Sequence, residues 1–512
     1  MAFSEDPACS EDPALAASRA RTRASYDATP YPSAPMQRSH PGRLAAQAVW
    51  RGLTAPDAAR ARVLEIGCAS GGNLLALAAA LPEARLLGVD LSPAQIAAGE
   101  ARRQHWGLDN VELRAASFEA IDDGEFDFII CHGVYSWIPE PLREALLRVV
   151  KARLAPDGLA MVSFNVLPGW RLMQIARDSM LLNARLIGDP AERAEKTRQL
   201  FGLLATQSPD KRSYGKFWRN EAQRMAAGGD AYLAHEIFEE ANAPETFADF
   251  TDRTGRHGLA YLGESVAVAN NEADLAPEGA ESIRALSGGD RLKRETYIDI
   301  FSGRSFREAL LIHPGRSPAA TPALRSLHVI PALDLEIADE DGGAFRLCIK
   351  DTELVIRNSG AAQAMRRLVA RRPASCAVAD LGEVDEAFRI AVENGLVAVS
   401  TLPVVCAVQL AERPRIWPFA AMEALASDRA VTLRHSAFQF APLQRFLAPL
   451  LDGTLTRDDL VAAATKQSRS GALTVSGPEG PIADPAEIGR RLADGIDSAL
   501  AGLLRNGLLV EG

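Results

Sequence analysis

Two carboxylates around a glycine-rich turn are the residues whose types and spacing are best suited to binding a ligand. Glu65 lies near the end of the apolar run RVLEIG, which turns through CASGG into the helical run NLLALAAALP. Gly67 permits a tight turn and a close approach of the backbone to a ligand, and Gly71 or Gly72 lets the helix pack against the strand. A strand, a glycine turn and a helix in this order are typical of sites that bind nucleotide-type ligands.

Asp90 ends the next apolar run, RLLGVD, about 20 residues after the turn, where a carboxylate can accept hydrogen bonds from both hydroxyls of a ribose. Dinucleotide enzymes share this feature, and the turn by itself would suit a dinucleotide or no ligand at all. Glu65 separates these classes, because a carboxylate beside the turn would repel a pyrophosphate and would suit a cationic amino-acid sulfonium. The pair of carboxylates therefore favours S-adenosylmethionine as the cofactor.

The runs that must position these carboxylates alternate between strands and helices. From Arg62 to the run VELRAA the pattern is strand, helix, strand, helix, strand, and FDFIICHG, EPLREALLRVVKARL and GLAMVSFNV continue it as strand, helix, strand. This βαβ rhythm predicts a parallel sheet with helices on both faces. The expected fold class is α/β, with a Rossmann-like catalytic domain.

Beyond Trp170 the pattern changes to long helical segments, such as RLMQIARDSMLLNARLIG, which predict a mainly helical middle domain. The stretch HPGRSPAATPAL predicts a linker, and the strand-like and helical pieces after it predict an α+β C-terminal domain with features of winged-helix modules. The expected organisation is a mobile lead-in at 1–24, the Rossmann-like domain at 25–175, a helical regulatory or substrate domain at 176–318 and the α+β domain at 319–512.

Composition excludes several functional classes. A chain of 512 residues is long enough for about three domains. Its apolar fraction of 47% and charged fraction of 24% are those of an ordinary globular protein. The net charge of -10 disfavours nonspecific binding to nucleic acid or to an anionic membrane. We therefore expect no nucleic-acid partner.

The cysteines and the N-terminus indicate the compartment. Six cysteines are scattered without a C-x-x-C pair or a histidine-rich neighbourhood, which argues against both a zinc site and a disulfide framework. No stretch approaches the roughly 20 apolar residues of a membrane helix, and the N-terminus is acidic where a signal peptide would be basic. We expect a cytoplasmic protein with no metal site and no membrane insertion.

The motifs EIGCASG, VDLS, FDFIICHG and LAPDGLAMVS resemble, in order and spacing, those of class I methyltransferases. Further motifs are YDATPYPS at 26–33, HP at 40–41, GCASGGN at 67–73, HGVYSWIP at 132–139, NVLPGW at 165–170, HEIFEEANAP at 235–244, RHGLAYLGE at 256–264, YIDIFSGRSFR at 297–307, RPRIWPFA at 413–420 and LLDGT at 450–454. With them, nearly the whole chain resembles methyltransferases that carry a methyltransferase regulatory domain. Some members of that group are protein-lysine methyltransferases of bacterial outer-membrane proteins.

The resemblance implies an S-adenosylmethionine site made of Tyr26, Glu65, Gly67, Cys68, Gly71, Asn73, Asp90, Leu91, Gln95, Ser117, Phe118 and His132. Glu65, Gly67 and Gly71 would shape the methionine pocket, and Asp90 would bind the ribose. His132, after the fourth strand, would face the methyl group.

The expected adenosine contacts include one departure from the family pattern. Leu91 and Gln95 would border the adenosine. After the third strand, where many class I enzymes place an acidic residue against the adenine amine, this chain has Ser117 and Phe118. The Ser117 hydroxyl could still accept that hydrogen bond.

Methyl transfer from a sulfonium depends mainly on alignment of the nucleophile, the methyl group and the sulfur. A lysine nucleophile must first lose its proton, and a pocket that desolvates the amine would help. Aromatic faces attract cations, and amide or phenol oxygens can orient an amine, so Tyr26 could also line the acceptor channel. The candidate catalytic residues are Tyr31, His132, Tyr135, Trp137 and Asn165.

Three functional hypotheses remain open on the sequence. The first is methylation of a nitrogen acceptor by in-line displacement, with the lysine side chains of a protein substrate as the family-level expectation. The second is methylation of a small molecule at oxygen, nitrogen or carbon. The third is a regulatory protein that binds the cofactor without turnover.

Overall fold

A mixed β-sheet forms the centre of the protein. The computed structural model describes residues 13–187, 189–208, 213–239, 241–267, 277–340, 344–349, 352–357, 359–382, 386–470, 473, 476–477, 480–482 and 484–511. Within these ranges eight strands join in the order β3-β2-β1-β4-β5-β8-β7, and β6 pairs with β5. Their bounds are β1 (Arg62–Ile66), β2 (Arg85–Asp90), β3 (Val111–Ala115), β4 (Phe126–Cys131), β5 (Leu154–Leu167), β6 (Glu245–Thr246), β7 (Ala260–Glu264) and β8 (Phe306–Ile312). Strands β1 to β5 are parallel, and β8 is antiparallel to both β5 and β7.

Helices cover both faces of this sheet, as the predicted Rossmann-like α/β fold requires. They include α2 (Pro41–Trp50), α3 (Gly72–Ala80), α4 (Pro93–His105) and α5 (Glu140–Arg153). Successive residues of a strand point to opposite faces, so Val63 packs in the core beneath α2 and α3, whereas Leu64 packs in the core beneath α5. The Ser92 hydroxyl caps α4 by accepting a hydrogen bond from the Gln95 amide. The predicted fold class is confirmed.

The region after Trp170 begins with the predicted helices. These are α6 (Arg171–Leu186), α7 (Pro190–Gln207) and α8 (Ser213–Tyr232), and a π-helical turn over Leu233–Ile237 follows them. Phe201 and Trp218 are fully buried in a small separate core that Ile237 completes. The helical region that the sequence predicted is therefore present, with its own hydrophobic centre.

The sequence analysis missed the strands that follow. The chain returns to the central sheet three times: with β6 before α9 (Phe247–Arg256), with β7 after it, and with β8 after α10 (Pro277–Ser287) and α11 (Arg291–Ser302). Strand β8 has the sequence FREALLI, and its charged Arg307 and Glu308 are buried. These charges interrupt the apolar pattern that identifies a buried strand, which explains why the segment was not recognised.

The C-terminal part combines two smaller units. In the first, the elements are β9 (His328–Pro331), β10 (Glu336–Asp339), β11 (Phe345–Ile349), β12 (Thr352–Ile356), α12 (Ser359–Ala370), β13 (Cys376–Ala377), α13 (Glu386–Glu393) and β14 (Val397–Ser400). Helix α2 packs against this unit, since Ala46 and Trp50 belong to its core.

The second C-terminal unit is the winged-helix region, which confirms the predicted α+β character. Its elements are β15 (Arg415–Ile416), α14 (Pro418–Ala426), β16 (Arg429–Val431), β17 (Ala437–Gln439), α15 (Pro442–Leu447), α16 (Arg457–Arg469), β18 (Ser476–Gly477), β19 (Gly480–Pro481), α17 (Pro485–Arg505) and β20 (Leu509–Val510). Strands β16 and β17 form an antiparallel hairpin. Over the described residues, no helix has the length and apolar character needed to cross a membrane.

A helix, α1 (Pro13–Ala28), occupies much of the segment that the sequence suggested to be a lead-in without regular structure. Its alanines and arginines have high helix propensity, although they form no clear apolar stripe. Polar contacts attach it to the Rossmann-like domain: Arg19 pairs with Glu119, and Asp27 accepts a hydrogen bond from the Ser92 hydroxyl. Propensity and these contacts explain the helix, and the domain boundaries themselves stay a prediction.

A buried charge cluster attaches β7, β8 and α11 to one another. The Arg307 guanidinium is 1% exposed, and its Nε and Nη2 donate to the two oxygens of Asp299 at 2.9 and 2.8 Å. It also pairs with Glu264 at 2.5 Å and with Glu295 at 3.1 Å. Phe247 packs against the guanidinium face, 4.1 Å from ring centre to Cζ. Arg307 is thus the nearest counter-charge of three buried carboxylates, and Arg304 pairs more distantly with Glu295 and Asp299, at 3.9 and 3.6 Å.

Replacing Arg307 by Met should therefore lower the free energy of unfolding by about 3 to 5 kcal/mol, because it leaves buried carboxylates without their counter-charge. Urea denaturation followed by circular dichroism measures this change. The control is Arg457→Met, which breaks the exposed pair with Asp497 and should cost about 1 kcal/mol or less. Equal losses in the two variants would contradict a structural role for the Arg307 cluster.

Candidate functional site

A cavity of about 570 Å³ opens at the carboxyl ends of the central strands. The order of the sheet reverses between β1 and β4, and connections from these two strands leave in opposite directions. Ligands of open α/β sheets bind in the crevice at such a switch point. Residues that follow β1, β2, β3 and β4 all line the cavity, and so do residues of α1, of the 31–36 segment and of the π-helical turn.

The glycine turn after β1 has the backbone conformation that the sequence predicted. Gly67 and Gly71 have φ values of 75° and 70°, in the left-handed region that glycine adopts without strain. A Cβ on Gly67 would overlap Val134, and a Cβ on Gly71 would press against Leu113. Ala69 stands between them with φ of 51°, where the usual fingerprint has a glycine. Gly67 lines the cavity, whereas Gly71 serves the turn behind it.

Glu65 is a buried carboxyl at the floor of the cavity. Its side chain is 5% exposed, and its Oε1 accepts a hydrogen bond from Asn73 Nδ2 at 3.2 Å. Its Oε2 is buried and has no hydrogen-bond partner among the described residues. Burial raises the pKa of Glu65 to about 8, against the opposing effect of the Asn73 hydrogen bond. A cationic donor in the cavity would complete its hydrogen bonding and favour the ionised form.

Asp90 is held at the cavity wall by the backbone. Its Oδ2 accepts from the Ala69 amide and its Oδ1 from the Ser92 amide, each at 2.9 Å. Burial raises the pKa of Asp90, while the hydrogen bonds from Ser92, Ala69 and Leu91 oppose that rise. Each carboxylate oxygen keeps a second lone pair for a hydroxyl donor.

His132 and Asn165 lie on the wall that β4 and β5 form. His132 Nδ1 is 3.6 Å from Glu308 Oε1, and the Phe306 ring packs edge-on against the imidazole. Burial lowers the pKa of His132, so its imidazole is neutral near pH 7. The side-chain amide nitrogen of Asn165 is buried without a hydrogen-bond partner in the described part of the chain. Both side chains offer polar atoms to a ligand.

The end of the cavity near Tyr31 is aromatic and acidic. The Tyr31 side chain is 44% exposed, and the Tyr26 ring stacks on His235 with 4.2 Å between ring centres. Glu236 and Glu239 of the π-helical turn and its C-terminal flank also line this end. Burial raises the pKa of Tyr26, and the negative charges of Glu239 and Glu236 add to that rise. Burial also raises the pKa of Glu236, to about 7.

Two tryptophans continue this aromatic surface. Trp137 and Trp170 both line the cavity and meet edge-on, with 6.3 Å between ring centres. The Trp170 Nε1 donates to Asn242 Oδ1 at 3.0 Å, which fixes its indole plane. A cation that entered past Tyr31 would meet aromatic faces as well as carboxylates.

Most residues that the sequence analysis proposed for the site come together here. Those on the cavity wall are Tyr26, Tyr31, Glu65, Gly67, Cys68, Asn73, Asp90, Leu91, Ser117, Phe118, His132, Trp137 and Asn165. Ser117 donates to the Glu119 carboxylate at 3.1 Å. Its hydroxyl is therefore engaged in a local contact at the position where adenine was expected.

Three proposed residues do not line the cavity: Gly71, which shapes the turn behind it, Tyr135 and Gln95. Tyr135 is fully buried in the core and packs edge-on against Phe164 and Phe250, because the short helical turn after Val134 directs its ring under the sheet. Its predicted place in an acceptor channel is wrong. Gln95 is buried in the first turn of α4, and it does not line the cavity, so its predicted border with adenosine is not supported.

The sequence analysis missed a set of cavity residues outside the Rossmann-like domain. His235, Glu236 and Glu239 were not assigned to the site. In the structure His235 Nε2 lies 2.6 Å from the Thr29 carbonyl oxygen. The available signal was the cluster of carboxylates in HEIFEEANAP, which brings Glu236 and Glu239 close together in the chain.

The cavity suits S-adenosylmethionine in the charge and hydrogen-bonding capacity of its lining residues. The unpaired Glu65 Oε2 suits an ammonium group, and the bare Gly67 backbone lets a ligand approach closely. The charged lining residues of the described chain are the acids Glu65, Asp90, Glu236 and Glu239 and the bases Arg19 and Arg23. This excess of carboxylates favours a ligand that carries an ammonium and a sulfonium over one that carries phosphates.

Comparisons with protein families match three parts of the chain. Residues 63–158 match a methyltransferase domain, residues 229–313 match a predicted methyltransferase regulatory domain, and residues 412–508 match the PKMT C-terminal winged helix domain. An uncharacterized protein of Rickettsia prowazekii is 35% identical over 291 residues, which are 56% of this chain and 52% of that relative. The chain thus spans about half the length of this relative. A second uncharacterized R. prowazekii protein is 32% identical over 46% of this chain and 96% of its own length.

A solved structure shares the fold. PKMT2 from Rickettsia typhi in complex with AdoHcy has a TM-score of 0.82 and 23% sequence identity, over 94% of this chain and 100% of that one. The family resemblance read from the motifs is confirmed over the methyltransferase, regulatory and winged-helix regions. The chain belongs to the S-adenosylmethionine-dependent methyltransferases that carry a methyltransferase regulatory domain and a PKMT C-terminal winged-helix domain.

Proposed function

We propose that this methyltransferase transfers its methyl group to the side-chain nitrogen of lysines in a protein substrate. The observation that carries the proposal is the acidic and aromatic end of the cavity, where Glu236 and Glu239 stand among Tyr26, Tyr31 and Trp137. Carboxylates and aromatic faces attract a cation, and a lysine side chain brings one on a long, flexible stem. The match to the PKMT winged-helix domain supports the same acceptor class.

The cofactor would be held by the Rossmann-like wall. Glu65 would take the ammonium group of the methionine part, beside the backbone of Gly67 and Cys68. Asp90 would accept hydrogen bonds from the ribose, since its backbone donors leave a lone pair on each oxygen. Leu91, Ser117 and Phe118 would line the adenine side.

The acceptor lysine would be prepared by charge and by burial. S-adenosylmethionine supplies a methyl group on a sulfonium, which is already a good leaving group. Glu236 and Glu239 would attract the lysine as a cation, and the aromatic walls would then desolvate its amine and lower the pKa of the ammonium, which would lose its proton to solvent water. The neutral nitrogen would then form its bond to the methyl carbon as the methyl–sulfur bond breaks, and the thioether would leave. The Asn165 amide and the neutral His132 imidazole offer polar atoms that can orient the neutral amine. Positioning accounts for this chemistry without a dedicated base.

The compartment and the partner belong to the same proposal. Cys68, Cys131, Cys376 and Cys406 are buried free thiols in the described chain, which suits a reducing compartment such as the cytoplasm. A protein partner suits the size of the region outside the Rossmann-like domain, which includes two of the three matched domains.

The acceptor class is tested by incubating the purified chain with methyl-labelled S-adenosylmethionine and a bacterial protein lysate. We expect label in protein, on lysine after hydrolysis to amino acids. A heat-inactivated sample of the chain is the control. Label that enters only the small-molecule fraction would replace the proposal by a small-molecule methyltransferase, and tight cofactor binding without any transfer would favour a binding protein.

Replacing Asp90 by Ala should weaken the binding of S-adenosylmethionine by about 1 to 3 kcal/mol, the loss of one or two hydrogen bonds to a charged group. Isothermal titration calorimetry measures the dissociation constant. Asp109→Ala, on the exposed loop before β3, is the matched control and should leave that constant unchanged. An unchanged affinity in the Asp90 variant would refute the assigned ribose site.

Replacing Glu236 by Gln should raise the KM for a lysine peptide about 10-fold while the affinity for S-adenosylmethionine changes little. The substitution removes a negative charge at the acceptor end and keeps the side-chain shape. Steady-state kinetics with the peptide found in the labelling experiment measure both constants. The control is Glu195→Gln, an exposed carboxylate of α7 that pairs with Arg198. A change in cofactor affinity without a change in the peptide KM would contradict the acceptor role.

A further inference from the structure

The turn between β16 and β17 in the winged-helix region contacts a residue of the cofactor cavity wall, although it lies in the C-terminal part of the chain. Within the turn, the Thr432 amide donates to the Ser436 carbonyl and the His435 amide to the Thr432 carbonyl, both at 2.9 Å. The Thr432 and Ser436 hydroxyls are 2.7 Å apart. These bonds define the conformation of the turn and therefore the direction of the His435 side chain.

The turn is also anchored to its surroundings. Arg434 donates to the carbonyls of Pro373 and Pro331 at 2.5 and 2.6 Å, and it is buried. His435 has φ of 57°, a left-handed conformation that costs free energy in a residue other than glycine. A protein keeps such a conformation where the surrounding structure requires one side chain in one place.

His435 reaches Asn73, which lines the cofactor cavity. The His435 Nε2 is 2.8 Å from Asn73 Oδ1, across 362 residues of sequence, and both side chains are buried. Asn73 Oδ1 also accepts from the Met36 amide at 2.9 Å. Because an amide oxygen only accepts, His435 is the donor in this pair.

The other end of the Asn73 amide is directed at Glu65. Its Nδ2 donates to Glu65 Oε1 at 3.2 Å and to Ser39 Oγ at 3.0 Å. Both ends of the amide are therefore engaged, so its orientation is determined by its neighbours. His40 packs edge-on against His435 at 5.3 Å and completes the enclosure. The contacts form one continuous line from His435 through Asn73 to Glu65.

We propose that His435 is a positioning residue for the cofactor site, and that the winged-helix region is thereby part of the machinery that binds S-adenosylmethionine. His435 holds Asn73 in the one orientation that presents a donor to Glu65, and Glu65 is left aligned to receive the ammonium group of the cofactor. Without that bond the Met36 amide is the remaining donor to Asn73 Oδ1, so the amide is held less firmly in the orientation that presents its Nδ2 to Glu65. The inference rests on the proposed role of Glu65 in the cofactor site.

The test compares His435→Phe, which keeps an aromatic ring and removes the donor, with His435→Gln, which keeps a donor of similar reach. We expect the Phe variant to raise the dissociation constant for S-adenosylmethionine about 10-fold, the effect of one lost hydrogen bond to a neutral acceptor. The Gln variant should recover most of the affinity. The KM for the acceptor should be unchanged in both variants, measured on the full chain.

Thr456→Ala controls for stability, because it removes the N-terminal cap of α16 in the same region without touching Asn73. Urea denaturation compares its stability with that of the two His435 variants. Three outcomes overturn the proposal: unchanged cofactor affinity in the Phe variant, equal losses in Phe and Gln, or an equal loss in Thr456→Ala. If Asp90→Ala lowers the affinity for S-adenosylmethionine and His435→Phe does not, this inference is wrong and the assigned cofactor site is retained. If neither variant lowers that affinity, both the inference and the assigned cofactor site are wrong.

Discussion

The site depends on one topological constraint, the reversal of strand order between β1 and β4. Parallel strands end with their carbonyl groups and connecting loops at the same edge, and the reversal separates two of these loops far enough for a ligand to enter. Glu65 near the end of β1 and His132 after β4 stand on the two sides of this crevice. The sheet supplies a rigid floor, and parts of the chain distant in sequence supply the other walls.

Burial of carboxyl groups is the electrostatic consequence of that enclosure. Burial raises the pKa of Glu65, of Asp90 and of Glu236, and few cations stand nearby to offset the cost of ionising them. Buried carboxyl groups favour the binding of a cation, because its attraction to the carboxylates offsets part of the free-energy cost of their desolvation. The sulfonium cofactor and the proposed lysine acceptor are both cations, so one excess of negative charge would serve both ends of the cavity. In the Arg307 cluster the free-energy cost of burying carboxylates is offset by a cation of the protein itself.

The sequence predicted what local patterns determine. The alternation of runs after Arg62 predicted the parallel sheet, and the glycine turn predicted Glu65 and Asp90 at its edge, because both depend on residues close in the chain. Tyr135 was misplaced because a motif gives the position of a residue but not the side of a short turn to which its ring points. The predicted channel therefore included a core aromatic.

Long-range contacts account for what the sequence could not show. His435 and Asn73 are 362 residues apart, and no periodicity or motif links them. Glu236 lies in a π-helical turn, a rare element that no local pattern indicates. Strand β8 was not predicted because its charged residues are paired, and can be buried, only in the folded protein. These features depend on contacts that form only in the tertiary structure. Such contacts allow charged residues to be buried, although these residues ordinarily prefer water.

The walls of the cavity differ in how firmly they are attached. The Rossmann-like wall belongs to a sheet with a fully buried core, and the His435 turn is held by several backbone and side-chain hydrogen bonds. Helix α1 buries none of its residues completely. Its attachments are the polar contacts of Arg19 and Asp27, the Tyr26 ring stacked on His235, and a partly buried Leu15 at the edge of the core. Local opening costs least where little apolar surface is buried, so we expect α1 to move at the lowest free-energy cost of all the walls. It covers the cavity beside Tyr26, between the cofactor residues and the acidic end, so its displacement would expose both ligands while the floor that aligns them stays in place.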